Sequence, residues 1–301
     1  MIKLTHAAVV AALLAAPGPA RTQDGDAAGV GEEAAEADAT EGGPRLNRLV
    51  EKLAAGEAVE GEFYNRVDFN SARATRGSDL DYVIVDMEHH PFEVETLRQM
   101  LINLRAGDGT FPVTPIVRIG TPGREVESNH WMVKQVLDAG AMGIMVPFVN
   151  TAEEARQAVI GMRYPPVADD AQPEPRGRRG WSPSVAADAW NLDVQDYAMR
   201  ADLWPLDPEG EMLLAVQIET QEGIDNLAEI LAVPGVGAAF IGPADLHADM
   251  GHLGETGVEE VEARMADALA TAQQAGVAIG LTPAGRTIEE RVEQGFTFNT
   301  R

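Results

Sequence analysis

The chain has 301 residues, 45% of them hydrophobic, which is enough to bury a large core in one α/β barrel or in two smaller domains. Its formal net charge of −25 argues against nucleic acid or an anionic membrane surface as a partner, because both bind basic patches. Such acidity is also common in salt-adapted proteins. The absence of cysteine excludes a disulfide framework, a lipoprotein anchor, thiolate zinc sites and cysteine nucleophiles.

Residues 1–20 have the pattern of a secretory signal peptide. Lys3 precedes an apolar run from Ala7 to Ala16, which is too short to span a bilayer, and the small residues Gly18 and Ala20 suit a cleavage site. A buried N-terminal helix is the alternative. We therefore expect export to the periplasm or the medium, or a cytoplasmic protein if this segment is not cleaved, with no stable membrane span.

Residues 21–44 are predicted to be an acidic, disordered linker, because they contain almost no large apolar residue. The folded domain is expected to comprise residues 45–301. It begins with a short helix whose apolar face, in RLNRLVEKLAAGE, suits it to cap the bottom of a barrel.

Eight apolar segments after this helix are predicted to be strands. They are residues 61–64, 82–86, 115–119, 143–147, 213–219, 238–242, 277–281 and 296–299. Most are separated by segments with apolar residues at helical spacing, at 92–104, 132–139, 151–162, 258–275 and 287–294. This alternation predicts a (β/α)₈ TIM barrel. An open doubly wound sheet is the alternative, although the first βα turn lacks a G-x-G-x-x-G fingerprint.

The end of the chain and one long loop depart from a simple barrel. No clear eighth helix follows the eighth strand, so we expect its apolar flank to be uncovered and to be buried in a homo-oligomer. Residues 167–204 form a long stretch with three tryptophans, Trp181, Trp190 and Trp204. Long insertions after strands belong to the active rim of a barrel, so this stretch is expected there.

Two predicted strands end at carboxylates, Glu219 and Asp245, and the helical segment between them makes a βαβ unit. Parallel strands point their carboxyl ends to the same rim, so these two side chains should emerge side by side. Two carboxylates with open positions suit a hard divalent cation, Mg²⁺ or Mn²⁺ with Co²⁺ as an alternative, rather than zinc, which prefers His and Cys.

Other polar residues stand at the ends of neighbouring strands. The run Asp86-Met87-Glu88-His89-His90 follows YVIV, and Arg118 ends PIV. Beside a chelated 2-oxo acid, an arginine can hold a developing enolate oxygen and a neutral histidine can move a proton. Asp138, at the end of a helical run, could orient that histidine or could be an ordinary carboxylate at a helix C-terminus.

Several stretches of the chain resemble, in order, the HpcH/HpaI aldolase family, the class II pyruvate aldolases. They include DYVIVDMEHHPFE, PIVRI and KQVLDAGAMGIMVPF. The resemblance runs from about Arg45 to Phe298. Its most specific parts are the motifs IET and IGPADL at their spacing, in VQIETQEGIDNLAEILAVPGVGAAFIGPADLHADMG.

The resemblance implies a metal-dependent lyase that cleaves a 4-hydroxy-2-oxo acid to pyruvate and an aldehyde through a metal-bound enolate. Residue by residue, it implies the following roles: Glu219 and Asp245 as metal ligands, Arg118 at the enolate, His89 rather than His90 as general base, Asp138 in a histidine-linked network, and Gln217 with the backbone of Ala244 and Asp245 around pyruvate.

Two other functions stay open on the sequence alone. A relative of citrate lyase β or malyl-CoA lyase would share the barrel and the metal but act on a CoA thioester. An exported, non-catalytic binding protein for 2-oxo acids would not require a base such as His89. The loop after Tyr164-Pro165-Pro166 is longer than is usual in the family, so the identity of the aldehyde does not transfer.

Overall fold

The computed structural model describes residues 45–65, 69–107, 109–166 and 173–301. The predicted signal peptide (1–20) and the predicted linker (21–44) lie outside the described residues. Among the described residues, no helix combines the length and the apolar character needed to cross a membrane.

Parallel strands and helices alternate along this part of the chain. The strands are β1 (Val59–Tyr64), β2 (Tyr82–Asp86), β3 (Thr114–Arg118), β4 (Gly143–Val146), the two-residue β5 (Leu203–Trp204), β6 (Met212–Ile218), β7 (Ala238–Ile241), β8 (Ala278–Leu281) and β9 (Phe298–Thr300). The helices are α1 (Arg48–Ala54), α2 (Phe69–Arg76), α3 (Val94–Leu104), α4 (His130–Asp138), α5 (Ala152–Met162), α6 (Ser184–Ala189), α7 (Val194–Arg200), α8 (Gln221–Asp225), α9 (Leu227–Leu231), α10 (Pro243–Asp249), α11 (Glu259–Ala275) and α12 (Ile288–Gln294).

Eight of the described strands form a nearly closed parallel barrel in the order β8-β7-β6-β4-β3-β2-β1-β9, and β5 pairs with β6 outside this path. Between β8 and β9 the Thr297 N–H donates to the Ile279 carbonyl at 2.9 Å. All eight predicted strands are confirmed, and so is the TIM-barrel-like fold. Helix α2 was not predicted, because its sequence FNSARATR has one large apolar residue and therefore no apolar stripe.

Helix α1 closes the end of the barrel where the strands begin. Its Leu49, Val50 and Leu53 are buried in one cluster with side chains from the barrel interior, such as Tyr82 and Phe298, whose rings are stacked at 4.7 Å. The Leu49 N–H donates to Thr114 Oγ1 at 3.1 Å, at the start of β3. The predicted bottom cap is confirmed, which leaves the opposite rim open for a site.

The flank formed by β1 and β9 is polar, contrary to the expectation of an uncovered apolar flank. In β1, Val59 packs in the barrel interior, so the alternation of the strand turns Glu60 and Glu62 outward. The Phe298 side chain is fully buried in the interior, and Arg301 Nε lies 2.5 Å from Glu60 Oε1. The homo-oligomer stays a prediction. The β1 and β9 flank does not support it, because this flank is polar rather than apolar.

The described part of the tryptophan-rich stretch, residues 173–204, contacts the end of the barrel opposite the expected rim. The Trp190 Nε1–H donates to the Gly140 carbonyl at 2.9 Å, and Leu203 pairs with Met212, the first residue of β6. The stretch follows α5 rather than a strand, and a crossover helix runs back from the rim to where the next strand begins. The expectation that it lies at the active rim was wrong for this reason.

Candidate active site

Arg118, the last residue of β3, stands at the centre of a buried polar cluster at the carboxyl ends of the strands. Its Nε atom donates to Asp86 Oδ1 at 2.9 Å, and its Nη2 atom lies 2.9 Å from Asp86 Oδ2. Its Nη1 atom lies 3.1 Å from Glu88 Oε2, and the guanidinium carbon lies 4.7 Å from the centre of the Phe63 ring. Arg118 is thus held by one hydrogen bond and two ion-pair contacts with carboxylates, which fix its guanidinium at this rim.

Asp86 holds the turn that follows β2. It is paired with Arg118 in the parallel register of β2 and β3, and its Oδ1 also accepts the Glu88 N–H at 3.1 Å. Burial raises the pKa of Asp86, but the hydrogen bond and the charge of Arg118 outweigh it, so the net shift is downward. Asp86 is therefore an ionised carboxylate that fixes the direction of Arg118.

Both histidines of this turn lie near the cluster, but they make different contacts. His90 Nδ1 lies 3.1 Å from Asp86 Oδ2, within hydrogen-bond distance. The His89 side chain is 62% exposed, and its Nε2 lies 3.8 Å from Glu88 Oε2, which is too far for a hydrogen bond. The structure thus brings both imidazoles to the rim and orients His90 the more firmly of the two.

Glu219 directly follows β6 and is buried. Its Oε2 accepts the Phe148 N–H at 2.9 Å, and its Oε1 accepts a hydrogen bond from Gln217 Nε2 at 2.7 Å. Burial raises the pKa of Glu219 to about 8, the Phe148 hydrogen bond opposes this shift, and the charges of Asp245 and Glu88 add to it. The three carboxylates therefore repel one another electrostatically at this rim.

Asp245 lies in the first turn of α10, directly after β7, and is half-buried, and the preceding Ala244 is exposed. Burial is the main reason why the pKa of Glu88 is raised, and the charge of Asp245 adds to that shift. The electrostatic influence of Asp245 on both Glu219 and Glu88 indicates that the strand-end carboxylates share one region, as the sequence predicted.

These residues fit a divalent cation in three respects. The donors are the oxygen atoms that hard cations prefer, and their mutual repulsion is the charge that a cation would offset. Gln217 Oε1 is buried and has no hydrogen-bond partner among the described residues. No group of three or more His, Cys, Asp or Glu side chains is arranged as a metal site in the part of the chain that the structure describes. The donor chemistry at this rim nevertheless fits a divalent cation.

Asp138 lies away from this cluster. It ends α4, and because that helix runs opposite to the strands, its C-terminus lies at the end of the barrel near α1. There Arg179 Nη2 lies 2.8 Å from Asp138 Oδ1 and also donates to Tyr197 Oη at 2.9 Å. The structure does not bring Asp138 to either histidine, and it fits the alternative of a carboxylate at a helix C-terminus.

Three contributors to the site carried no role in the sequence prediction. Glu88 was part of the quoted motif, but its contact with Arg118 depends on the turn geometry. Phe148 offers its N–H to Glu219 from a left-handed backbone (φ 50°), for which its sequence carries no signal. Gly242 has such a signal, in IGPADL, because a Cβ at that position would overlap the Glu219 carboxylate.

Comparisons with known proteins agree with this geometry. The family model described as HpcH/HpaI aldolase/citrate lyase matches residues 63–300. A hydroxypyruvate/pyruvate aldolase from Roseovarius nubinhibens is 37% identical over 235 residues, which cover 78% of this chain and 81% of that protein. A 4-hydroxy-2-oxo-heptane-1,7-dioate aldolase from Klebsiella pneumoniae is 37% identical over 254 residues, covering 84% of this chain and 86% of that protein.

A solved structure shares the fold over most of the chain. The HpcH/HpaI aldolase/citrate lyase family protein from Burkholderia cenocepacia superposes with a TM-score of 0.71 at 33% identity, covering 84% of this chain and 91% of that one. Enzymes of this aldolase family generally depend on a divalent metal ion. With the carboxylates and the arginine at the rim of the barrel, these likenesses identify the chain as an aldolase that belongs to the HpcH/HpaI aldolase/citrate lyase family.

Proposed function

We propose that the protein is a divalent-cation-dependent class II aldolase that cleaves a 4-hydroxy-2-oxo acid to pyruvate and an aldehyde and catalyses the reverse addition. The observation that carries this proposal is the grouping of Glu219, Asp245 and Glu88 beside the buried Arg118. Closely placed carboxylates, with the pKa values of Glu219 and Glu88 raised, favour a cation, and an arginine beside them favours an anionic substrate.

Glu219 and Asp245 would hold the cation, with Mg²⁺ or Mn²⁺ favoured over Co²⁺. When bound, the cation would polarise the carbonyl of a chelating 2-oxo acid. The hydrogen bonds from Phe148 and Gln217 keep the Glu219 carboxylate oriented before any ligand arrives. Hydrogen bonds to a side chain that ligates a metal commonly tune the affinity of the site for that metal.

The remaining groups suit the 2-oxo acid. The guanidinium of Arg118 would stabilise negative charge on the oxygen atom of the pyruvate enolate. Gln217 and the backbone N–H groups of Ala244 and Asp245, which precede the first intrahelical bond of α10, would line the carboxylate side. His89 would act as the general base, as its place after Glu88 in the family motif implies.

The names of the relatives suggest the classes of substrate to test first. The Klebsiella protein is named for 4-hydroxy-2-oxo-heptane-1,7-dioate and the Roseovarius protein for hydroxypyruvate and pyruvate. The pyruvate half is common to both reactions in our proposal. The aldehyde is to be found by screening.

Two alternatives are separated by simple measurements. A citrate lyase β or malyl-CoA lyase relative would bind coenzyme A, so absence of CoA binding in calorimetry supports the aldolase. A non-catalytic 2-oxo acid binding protein would bind pyruvate and metal without releasing pyruvate from any 4-hydroxy-2-oxo acid.

Removal of either proposed ligand tests the metal site. Glu219→Ala and Asp245→Ala should lose Mn²⁺ binding in isothermal titration calorimetry and metal-dependent pyruvate release, while circular dichroism stays unchanged. Glu229→Ala, which removes an exposed carboxylate from α9, is the matched control and should bind normally. Full-strength Mn²⁺ binding by either ligand variant would rule out the assignment.

A further inference from the structure

The two histidines that follow β2 stand on different sides of Arg118. Arg118 Nη1 lies 3.1 Å from Glu88 Oε2, and the same oxygen lies 3.8 Å from His89 Nε2. Arg118 Nη2 lies 2.9 Å from Asp86 Oδ2, and that oxygen lies 3.1 Å from His90 Nδ1. One guanidinium therefore connects two carboxylate–imidazole pairs.

The pair of Glu88 and His89 belongs to the side of the proposed metal ligands, since Asp245 acts electrostatically on Glu88. Burial raises the pKa of Glu88, the charge of Arg118 lowers it and the charge of Asp245 raises it. The His89 ring, at 3.8 Å, makes no hydrogen bond with Glu88. His89 is thus exposed at the rim and is not held in one orientation by this carboxylate.

The pair of Asp86 and His90 has a defined orientation. Asp86 is buried, ionised and able only to accept, so the hydrogen on the His90 ring is assigned to Nδ1. A neutral His90 then carries its lone pair on Nε2. An imidazole held by a carboxylate at one nitrogen, with the other free to accept a proton, is the arrangement of an oriented general base.

The residues that would hold the pyruvate half, Arg118, Gln217 and Glu219, are all buried, whereas both imidazoles lie nearer the surface, with His90 35% and His89 62% exposed. Exposure therefore does not separate the roles of the two histidines. The contact with Asp86 does, because it fixes one ring nitrogen of His90 and leaves the other to take the proton of the C4 hydroxyl group of a 4-hydroxy-2-oxo acid.

We propose that the two imidazoles divide the proton transfers of the aldol reaction, an inference that rests on the proposed function. In cleavage, His90 Nε2 takes the C4 hydroxyl proton, the O–H electron pair forms the aldehyde carbonyl, and the C3–C4 bond pair becomes the double bond of the pyruvate enolate. His89, which has taken a proton from water, delivers it to C3 and so converts C3 to the methyl group. His90 then releases its proton to water.

Replacement of His90 by asparagine distinguishes a role in proton transfer from a role in positioning. The side-chain amide of His90→Asn can still donate to Asp86 where Nδ1 does now, but it cannot accept a proton. His90→Asn and His90→Ala should both slow pyruvate release from 4-hydroxy-2-oxoheptane-1,7-dioate by about 10²- to 10⁴-fold, the usual contribution of a general base. Both should exchange the methyl protons of pyruvate with D₂O, without aldehyde, within about twofold of the unmodified protein.

The full-length, Mn²⁺-loaded protein is used for all variants. His89→Asn should show the complementary pattern, with exchange lost. The control is His252→Asn, which alters another imidazole near carboxylates, Glu255 at 3.6 Å and Glu260 at 3.9 Å, and should change neither rate. Unchanged thermal midpoints establish that the variants are folded.

Three results would overturn the proposal. Restoration of cleavage by asparagine would make His90 only a positioning residue. A parallel loss of exchange and cleavage in the His90 variants would remove the division of roles, and unimpaired cleavage in His90→Ala would remove His90 from the reaction. An unmodified protein that neither exchanges nor cleaves would instead refute the proposed function, so the two failures are distinguishable.

Discussion

Glu219 can occupy its position because residue 242 has no side chain. A Cβ on Gly242 would overlap Glu219 Oε1, and the carboxylate is already held on its other side by the Phe148 N–H. The carboxylate cannot move away without losing one of its two hydrogen bonds. A methyl group added at residue 242 should therefore disturb the proposed metal site more than it disturbs the fold.

Gly242→Ala should weaken Mn²⁺ binding by about 10- to 100-fold, the range typical for loss of a contact that orients a ligand. Calorimetric titration of Mn²⁺ measures this. Gly107→Ala is the control, because a Cβ at that glycine would meet no atom within 4 Å. Equal Mn²⁺ affinity in the two variants would mean that Gly242 does not control the position of Glu219.

Some residues of the site could be predicted from the sequence and others could not. Glu219, Asp245 and Arg118 were predictable because each ends or follows an apolar strand, and strand ends converge in a barrel. The expected link between Asp138 and a histidine did not appear, because its position at the end of α4 puts Asp138 at the opposite end of the barrel. The contact of His90 with Asp86 depends on the backbone of the turn, which no spacing rule describes.

Helices α11 and α12 are joined by a network around one carboxylate. Arg291 Nη2 on α12 lies 2.8 Å from Glu262 Oε1 on α11, and Arg286 Nε lies 3.1 Å from Glu262 Oε2. Burial raises the pKa of Glu262, but the hydrogen bonds and charges of the two arginines outweigh it, so the pKa is lowered overall from 4.5. Ionised Glu262 therefore stabilises this part of the barrel.

The stabilisation by Glu262 should depend on pH in one direction. Because the pKa is lower in the folded state, the contribution is complete above about pH 4.5 and is lost as the pH falls through the folded-state pKa. Glu262→Gln should lower the free energy of unfolding by about 1 to 3 kcal/mol at pH 7 and by less at pH 3.5, measured by urea denaturation.

Glu293→Gln, on the exposed face of α12, is the control and should change the free energy of unfolding by less than about 0.5 kcal/mol at either pH. A Glu262→Gln effect of the same size at both pH values would show that its charge is not the stabilising feature.

At the level of elements, the strands were predictable and the connections less so. Strands β2, β4, β6 and β7 are almost continuous apolar runs, as expected for parallel strands buried on both faces, whereas β1 (VEGEFY) alternates apolar and charged residues. Helix α2 lacks an apolar stripe, and residues 173–204 were assigned to the wrong end because the order of helix and strand around them was not considered. The polar character of the β1 and β9 flank follows from which residues the pleat turns outward, and this depends on register.

Across the whole molecule, the barrel separates stability from chemistry. The end near α1 contains the apolar cap and the pair of Asp138 and Arg179, and the opposite rim contains the carboxylates and Arg118. This division is common in barrels of this class. Substitutions near α1 are therefore expected to change stability more than catalysis.

Export stays a prediction that rests on residues 1–20. The basic start, the short apolar run and the small residues before Arg21 are typical of a cleaved signal peptide. N-terminal sequencing of the protein produced from the full-length gene in a bacterial host should begin near Arg21. An intact Met1 on protein retained in the cytoplasm would contradict this prediction.

The carboxylates and Arg118 at the rim, with a bound cation, should make the methyl protons of pyruvate removable. Proton NMR of pyruvate in D₂O, with no aldehyde present, measures this directly. Exchange should require Mg²⁺ or Mn²⁺, stop on addition of a chelator, and be lost in Glu219→Ala and in Arg118→Ala. A protein that binds pyruvate and metal but exchanges the protons no faster than free metal in buffer would contradict it, and the binding-protein alternative would then hold.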